Sequence, residues 1–259
     1  MAAPPIDLEH ALAAARTGDL WVFRGRTIAD RAIQVSTNSP VNHVGMAVVI
    51  DDLPPLMWHA ELGRSLLDLW SGTHQRGAQL HDLRDAVTTW GNRYGQKAWL
   101  RQLDHPVDAA MEDAVLETIA RLDGTPFPST TQMATRWVRS RLPRLPQLPH
   151  LPDVLHLPDL PGVPRALQAR AEAQEVEAGQ AEADLETAYC AEIVAVTYEA
   201  MGLIAPGRRP SWFDPGTFWS GDGLPLLGGA RLGREIAVAI PVRRPDALAE
   251  RVNGSAPRD

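Results

Sequence analysis

A run of leucine–proline pairs interrupts the sequence after residue 141 and limits which parts of the chain can pack together. The pairs recur every third residue from Leu142-Pro143 to Leu151-Pro152. Proline lacks the backbone N–H that helices and central strands need, and a period of three matches the polyproline II helix. Residues 165–186, rich in Ala, Glu and Gln, favour an exposed helix. We therefore predict a core formed by residues 1–140 and 187–259, with residues 141–186 as an insertion.

The composition of the insertion is compatible with several roles. A rigid polyproline segment suits a spacer, or an arm that docks a protein partner. A solvated linker without a partner fits equally well. Histidine and aspartate alternate every three residues at positions 150, 153, 156 and 159, which is only a weak indication of metal binding. We predict no metal site there or elsewhere in the chain.

The overall composition of the 259 residues excludes several classes of protein. Hydrophobic residues make up 44%, which is typical of a globular domain and not of a disordered chain. Cys190 is the only cysteine, so an internal disulfide framework and a four-cysteine zinc site are both excluded. A net charge of −7 argues against general nucleic-acid binding. The sequence has no glycine-rich phosphate loop, and we expect no cofactor.

The N-terminal sequence bears on the cellular location. The first twenty residues include Asp7, Glu9 and Asp19 and lack the apolar core of a signal peptide. No stretch of the sequence reaches the roughly 18 consecutive apolar residues that a membrane span requires. We therefore expect a cytoplasmic protein without an integral membrane segment.

Hydrophobic periodicity predicts an α+β fold. Strands are expected over residues 20–23, 43–50, 56–60 and 236–242, and the second and third of these form a hairpin. Helices are expected over residues 1–17, 24–35, 107–122 and 188–202. On the strand that begins at His43, the small residues Gly45 and Ala47 share the face of the histidine. Their size leaves room for another element to pack beside His43.

Cys190 is the first candidate for a catalytic residue. It lies in the first turn of the predicted helix over residues 188–202, where exposed backbone N–H groups and the helix dipole favour a thiolate. A thiolate nucleophile needs a base to accept its proton, and histidine is the usual base. A lone cysteine beside an apolar run is also a common core residue, so position alone leaves both interpretations open.

Two histidines on the predicted hairpin are candidates for the base and its partner. His43 opens the first strand of the hairpin, and His59 lies in the second strand, across from it. In this arrangement His59 can bond the second ring nitrogen of His43. Each histidine taken alone is as compatible with a structural role.

Three segments of the sequence resemble a known family. They are GDLWVFRG at residues 18–25, NHVGM at residues 42–46 and YCAEIVA at residues 189–195. Together they resemble the permuted papain-like branch of the NlpC/P60 superfamily, which includes YiiX/YebB-like proteins and is related to lecithin retinol acyltransferase-like enzymes. In that branch the histidine strand precedes the cysteine helix, which is the order of His43, His59 and Cys190 here. The resemblance covers residues 17–135 and 187–240.

The resemblance implies a circularly permuted papain-like fold, with an antiparallel sheet packed on the cysteine-bearing helix. It implies a cysteine hydrolase, an amidase or peptidase, in which Cys190 attacks an acyl carbon to form a thioester intermediate, His43 transfers the proton and His59 orients His43. Tyr189 and Asn42 neighbour these residues and are candidates for lining the oxyanion pocket. The substrate expected is a small peptide, an amide or a lipid-like acyl compound.

Two other functions remain open from the sequence. A lipid acyltransferase or thioesterase would use the same residues, as the lecithin retinol acyltransferase-like relatives do. A non-catalytic module would bind a ligand in the pocket and a partner through the insertion. The pair His74 and His81 is set aside, because its spacing of seven does not fit one helical face and no carboxylate pattern accompanies it.

Overall fold

The computed structural model describes residues 4–25, 39–61, 65–125, 190–220 and 223–242. Three predicted features fall outside these ranges. The insertion at residues 141–186 and Tyr189 lie wholly outside them, and the helix predicted over residues 24–35 lies mostly outside them. In the described part of the chain, no helix combines the length and the hydrophobicity needed to cross a lipid bilayer.

The structure is α+β, with nine strands in the described residues. The strands are β1 (Ile6–Asp7), β2 (Leu20–Arg24), β3 (His43–Val48), β4 (Leu56–Glu61), β5 (Gly77–Asp82), β6 (Lys97–Arg101), β7 (Leu103–Asp104), β8 (Arg231–Leu232) and β9 (Ile236–Ala239). Seven of them form one sheet in the order β1-β9-β6-β2-β3-β4-β5, and β7 and β8 form a separate pair. The predicted strands are confirmed as β2, β3, β4 and β9.

The sheet differs from the expected antiparallel one at its edge. The pair β1–β9 is parallel, whereas the other pairs are antiparallel, so the sheet is mixed. The predicted hairpin is present as β3 and β4, with Met46 opposite Trp58. The expectation of a purely antiparallel sheet was wrong. Strand β9 lies between β6 and β1, and it pairs with β1 in the parallel direction. More than 200 residues separate β1 from β9 in the sequence, so no local pattern indicates this pairing.

Aspartate side chains cap the first turns of three of the four α-helices in the described residues. The helices are α1 (Leu8–Ala13), α2 (Leu83–Arg93), α3 (Ala109–Leu122) and α4, described over residues 190–200. The side chains of Asp7, Asp82 and Asp108 accept hydrogen bonds from backbone N–H groups in the first turns of α1, α2 and α3. After α4, Gly202 adopts a left-handed conformation with φ of 74°, which is typical of a glycine that ends a helix.

The two faces of the sheet are covered by different helices. The strand register places Val22, Val44, Met46, Trp58 and Leu80 on one side, here called the apolar face. These residues form one buried cluster with α4, and the Trp58 indole N–H donates to Thr197 Oγ1 at 3.1 Å. The other side, here called the histidine face, carries Phe23, His43, His59, Gln79 and His81. Helix α2 packs on that face through Trp90.

Candidate functional site

A continuous row of hydrogen-bonded side chains crosses strands β3, β4 and β5 on the histidine face. Nε2 of His43 lies 3.2 Å from Nδ1 of His59, and Nε2 of His59 lies 2.8 Å from Nδ1 of His81. Nε2 of His81 lies 2.9 Å from Oε1 of Gln79. All four side chains are buried. The register explains the row, because His59 is opposite Gln79 and Met57 is opposite His81, so the polar residues project from the same side.

The Gln79 amide sets the direction of every hydrogen bond in this row. Its nitrogen donates to the carbonyl oxygens of Glu61 and Gly77, at 3.2 and 3.4 Å, so Oε1 is left as the acceptor. His81 must then donate from Nε2 and accept at Nδ1. By the same logic His59 donates from Nε2 to His81 and accepts at Nδ1 from His43. The proton of the neutral His43 ring therefore lies on Nε2, and Nδ1 is the basic nitrogen of this ring.

Aromatic side chains seal the row from solvent and keep its imidazoles neutral. The Trp90 ring centroid lies 4.2 Å from that of His43 and 4.8 Å from that of His59, in edge contacts. Burial lowers the pKa of His43 to about 3 and that of His81 to about 4. Burial, together with the neighbouring imidazoles, lowers the pKa of His59 as well. At pH 7 all three rings are neutral, which is the form that accepts a proton or binds a metal.

Glu61 places a carboxyl group beside His81. Its Oε2 lies 3.8 Å from Nδ1 of His81, and only 3% of the residue is exposed. Burial raises the pKa of Glu61, against the lowering effect of a hydrogen bond from Trp90 and the charge of Arg93. One ligand atom from each of His59, Glu61 and His81 lies within 4.8 Å of the others. These are the described residues that can hold a metal ion.

The structure brings two of the predicted site residues together. The expected bond between His43 and His59 is present on the histidine face. The room predicted beside His43 is filled by Trp90 of α2. Cys190 is buried and belongs to the cluster of the apolar face. Asn42 is buried, and its Oδ1 accepts a hydrogen bond from the N–H of Gly25 at 2.9 Å. His43 and Cys190 belong to opposite faces of the sheet. Their catalytic pairing stays a prediction, and it requires the two side chains to meet beyond the end of the sheet at which His43 opens β3.

Two residues of the row, His81 and Gln79, were missed by the sequence reasoning. His81 was paired with His74 and set aside on helical spacing, but it lies on β5, where the period is two residues. The signal was the alternation of Ala78 and Leu80 with Gln79 and His81, which is that of a strand with one apolar and one polar face. The sequence does not show that β5 pairs with β4, so His81 could not be assigned as the third imidazole of the row.

Comparisons with known proteins give a distant match. No protein-family model matches the chain, and no curated protein matches it. The chain is similar to a solved structure, the metalloprotein yiiX of Escherichia coli O157:H7 (DUF1105), with 21% sequence identity and a TM-score of 0.34. The match covers 45% of this chain and 54% of the other chain. The chain therefore spans about half the length of the structure it matches.

Proposed function

We propose that this protein is a cysteine-dependent hydrolase that cleaves an amide or a related acyl bond. The observation that carries the proposal is the direction of the His43–His59–His81–Gln79 row. A row ending in an amide acceptor presents His43 as a neutral imidazole with Nδ1 basic, and a general base requires that form. The sequence resemblance to the permuted papain-like enzymes supplies Cys190 as the nucleophile.

In this mechanism the Cys190 thiol transfers its proton to Nδ1 of His43, and the thiolate attacks the acyl carbon. The resulting imidazolium is stabilised by its Nε2–H bond to His59, which is itself held by His81. The tetrahedral oxyanion accepts a hydrogen bond from the backbone N–H of Cys190. His43 then returns the proton to the leaving amine, and the C–N bond breaks to give a thioester and a free amine.

The thioester is resolved by water in the second half of the reaction. Nδ1 of His43 accepts a proton from water as its oxygen attacks the thioester carbon, and the C–S bond breaks. The proton then returns to the Cys190 sulfur, which regenerates the enzyme and releases a carboxylic acid. Asn42 and Tyr189 are proposed to line the pocket around the acyl group.

The test compares wild type with Cys190→Ala on short peptides, simple amides, short-chain esters and lipid esters. We expect hydrolysis of at least one amide by wild type and a loss of more than about 1,000-fold in kcat for Cys190→Ala. His10→Gln, which removes an exposed histidine outside the site, serves as the matched control and keeps full activity. Equal rates for wild type and Cys190→Ala on every substrate would refute the proposal. Turnover confined to lipid esters would favour the acyltransferase or thioesterase alternative.

The reactivity of the thiol gives an independent measurement. A cysteine activated by a neighbouring imidazole alkylates with iodoacetamide faster near pH 7 than an unperturbed thiol of pKa near 8.5. We expect His43→Gln to slow this alkylation, because the variant has no base for the thiol proton. A thiol that reacts at the same rate in both proteins would favour a binding module over an enzyme.

A further inference from the structure

We propose that His59, Glu61 and His81 form a binding site for one divalent transition-metal ion, with zinc as the best fit. The donor atoms are Nε2 of His59, Nδ1 of His81 and Oε2 of Glu61, and all lie within 4.8 Å of one another. The three residues come from the neighbouring strands β4 and β5. A rigid antiparallel pair therefore fixes the spacing of the ligands.

The distances agree with zinc coordination after small movements. Zinc–ligand bonds of about 2.0–2.1 Å in a tetrahedral site place ligand atoms about 3.3 Å apart. The two imidazole nitrogens, of His59 and His81, are 2.8 Å apart, and Oε2 of Glu61 is 3.8 Å from Nδ1 of His81. Both separations differ from the zinc value by about 0.5 Å. The ligand atoms of His59 and Glu61 lie within 4.8 Å of each other, so these two side chains must also approach each other to hold the ion.

The hydrogen-bonded row does not explain why the carboxyl group of Glu61 is buried beside it. Its Oε2 is buried and has no hydrogen-bond partner within the described residues. A buried polar atom without a partner destabilises a folded protein, because it has lost its hydrogen bonds to water. A cation between this oxygen and the two imidazoles would satisfy it. The orphaned oxygen therefore favours a metal ligand over a third member of a purely structural cluster.

The surroundings of the three ligands resemble the outer shell of a metal site. The remaining ring N–H of His81 donates to Oε1 of Gln79, as metal-bound histidines commonly donate to a carbonyl or carboxylate oxygen. The Gln79 amide is itself fixed by two backbone carbonyl groups. Two imidazoles and one carboxylate are a ligand set of zinc enzymes, whereas magnesium and calcium prefer oxygen ligands.

Metal binding and the proposed catalysis exclude each other, and this part of the inference rests on the proposed function. Zinc on Nε2 of His59 displaces the proton that this atom donates to His81. The proton of His59 must then reside on Nδ1 and be donated to Nε2 of His43, whose own proton shifts to Nδ1. Each imidazole keeps one proton, and any proton on Glu61 is released to solvent. His43 with Nδ1 protonated cannot accept the thiol proton of Cys190.

The test measures zinc binding by the full-length protein. The chain is stripped with a chelator, refolded so that the buried site is accessible, and titrated with zinc against a chromophoric chelator. We expect one zinc per chain in wild type and an affinity at least about tenfold weaker in Glu61→Gln. Cys190→Ala and His10→Gln should bind zinc as wild type does, since neither residue belongs to the site. Cobalt(II) in place of zinc should give the visible absorption of a tetrahedral site in wild type and in both control variants, but not in Glu61→Gln.

Several outcomes would overturn the metal site. They are the absence of stoichiometric zinc in wild type, equal affinity in Glu61→Gln, and loss of binding in Cys190→Ala. Far-UV circular dichroism establishes that each variant is folded, and His81→Gln replaces Glu61→Gln if the latter is not. Stoichiometric binding together with no hydrolysis by the metal-free protein would support the metal site and refute the proposed function. Hydrolysis that persists at saturating zinc would overturn the mutual exclusion.

Discussion

The two faces of the seven-stranded sheet bury different chemistry beneath their helices. The apolar face packs Val44, Met46 and Trp58 against α4, and its stability comes from removing hydrocarbon from water, which has no preferred direction. The histidine face packs His43 and His59 under Trp90 and His81 beside His59, and every hydrogen bond of this row fixes the next one. A substitution on the apolar face therefore acts locally. A substitution on the histidine face is expected to change the protonation of the whole row.

The largest effect is expected on the apolar face. Trp58→Ala removes a fully buried indole and its hydrogen bond to Thr197, and we expect the free energy of unfolding to fall by about 3–5 kcal/mol. Trp70→Ala is the matched control, because that indole is 45% exposed and should cost less than about 1 kcal/mol. Urea unfolding measures both. Similar losses in the two variants would contradict the packing described for this face.

Acidification should destabilise the protein mainly through the histidine face. Asp123 acts in the opposite direction, because burial raises its pKa to about 6 and the native state takes up this proton before the unfolded chain does. The three imidazoles stay neutral in the native protein well below pH 6.5, whereas each takes up a proton in the unfolded chain near that pH. The unfolded state thus binds more protons, so stability is lost as the pH falls from 6.5 towards the native pKa values of about 3 for His43 and about 4 for His81. Between pH 7.5 and 5.5 the apoprotein should lose up to about 4 kcal/mol, about 1.4 kcal/mol for each histidine.

The pH experiment separates the two faces when it is repeated on a variant of the apolar face. Trp58→Ala should have lower stability at every pH but the same slope against pH, because it leaves the three imidazoles buried. Urea unfolding in the presence of a chelator measures the slope. A flat profile in wild type would show that the row is already charged or accessible to water.

A smaller effect is expected at the end of the row. Gln79→Leu removes the acceptor of the His81 Nε2–H group, and we expect a loss of about 2 kcal/mol in the free energy of unfolding. It should also mix the tautomers of His59 and His43, which nitrogen-15 NMR of the imidazoles detects. Gln102→Leu removes an exposed hydrogen bond, from Nε2 to the carbonyl oxygen of Ala14 at 3.3 Å, and should cost less stability and leave the imidazole spectra unchanged. Unchanged imidazole spectra in Gln79→Leu would contradict the direction assigned to the row.

The smallest effect is expected where the histidine face is tightest. A Cβ at Gly45 would lie 2.9 Å from Cγ of Met57 and 3.2 Å from Cβ of His59, so Gly45→Ala must displace one of them. We expect a loss of about 1 kcal/mol and a shift in the imidazole resonances of His59. Thermal unfolding and NMR measure the two effects. A stabilised variant with unshifted resonances would mean that this face has spare volume.

The sequence predicted the elements whose signal is local. Alternating residues and the turn at 51–55 predicted the hairpin of His43 and His59, and the spacing of apolar residues predicted α3 and α4. Features that depend on distant pairing were not predictable in this way. The third imidazole, His81, joins the row only because β5 pairs with β4. The sequence likewise contains no signal for the face on which α2 packs.

The position of β9 has a consequence for the order in which the molecule can assemble. This strand follows α4 in the sequence, yet it lies between β1 and β6 within the sheet. The strands β2 to β6 can form their antiparallel pairs as soon as residue 101 has been synthesised. The N-terminal strand has no neighbour until residue 239 has left the ribosome. Helix α1 can pack on α2 earlier, but we expect strand β1 to stay unpaired during translation and to pair with β9 as one of the last folding events.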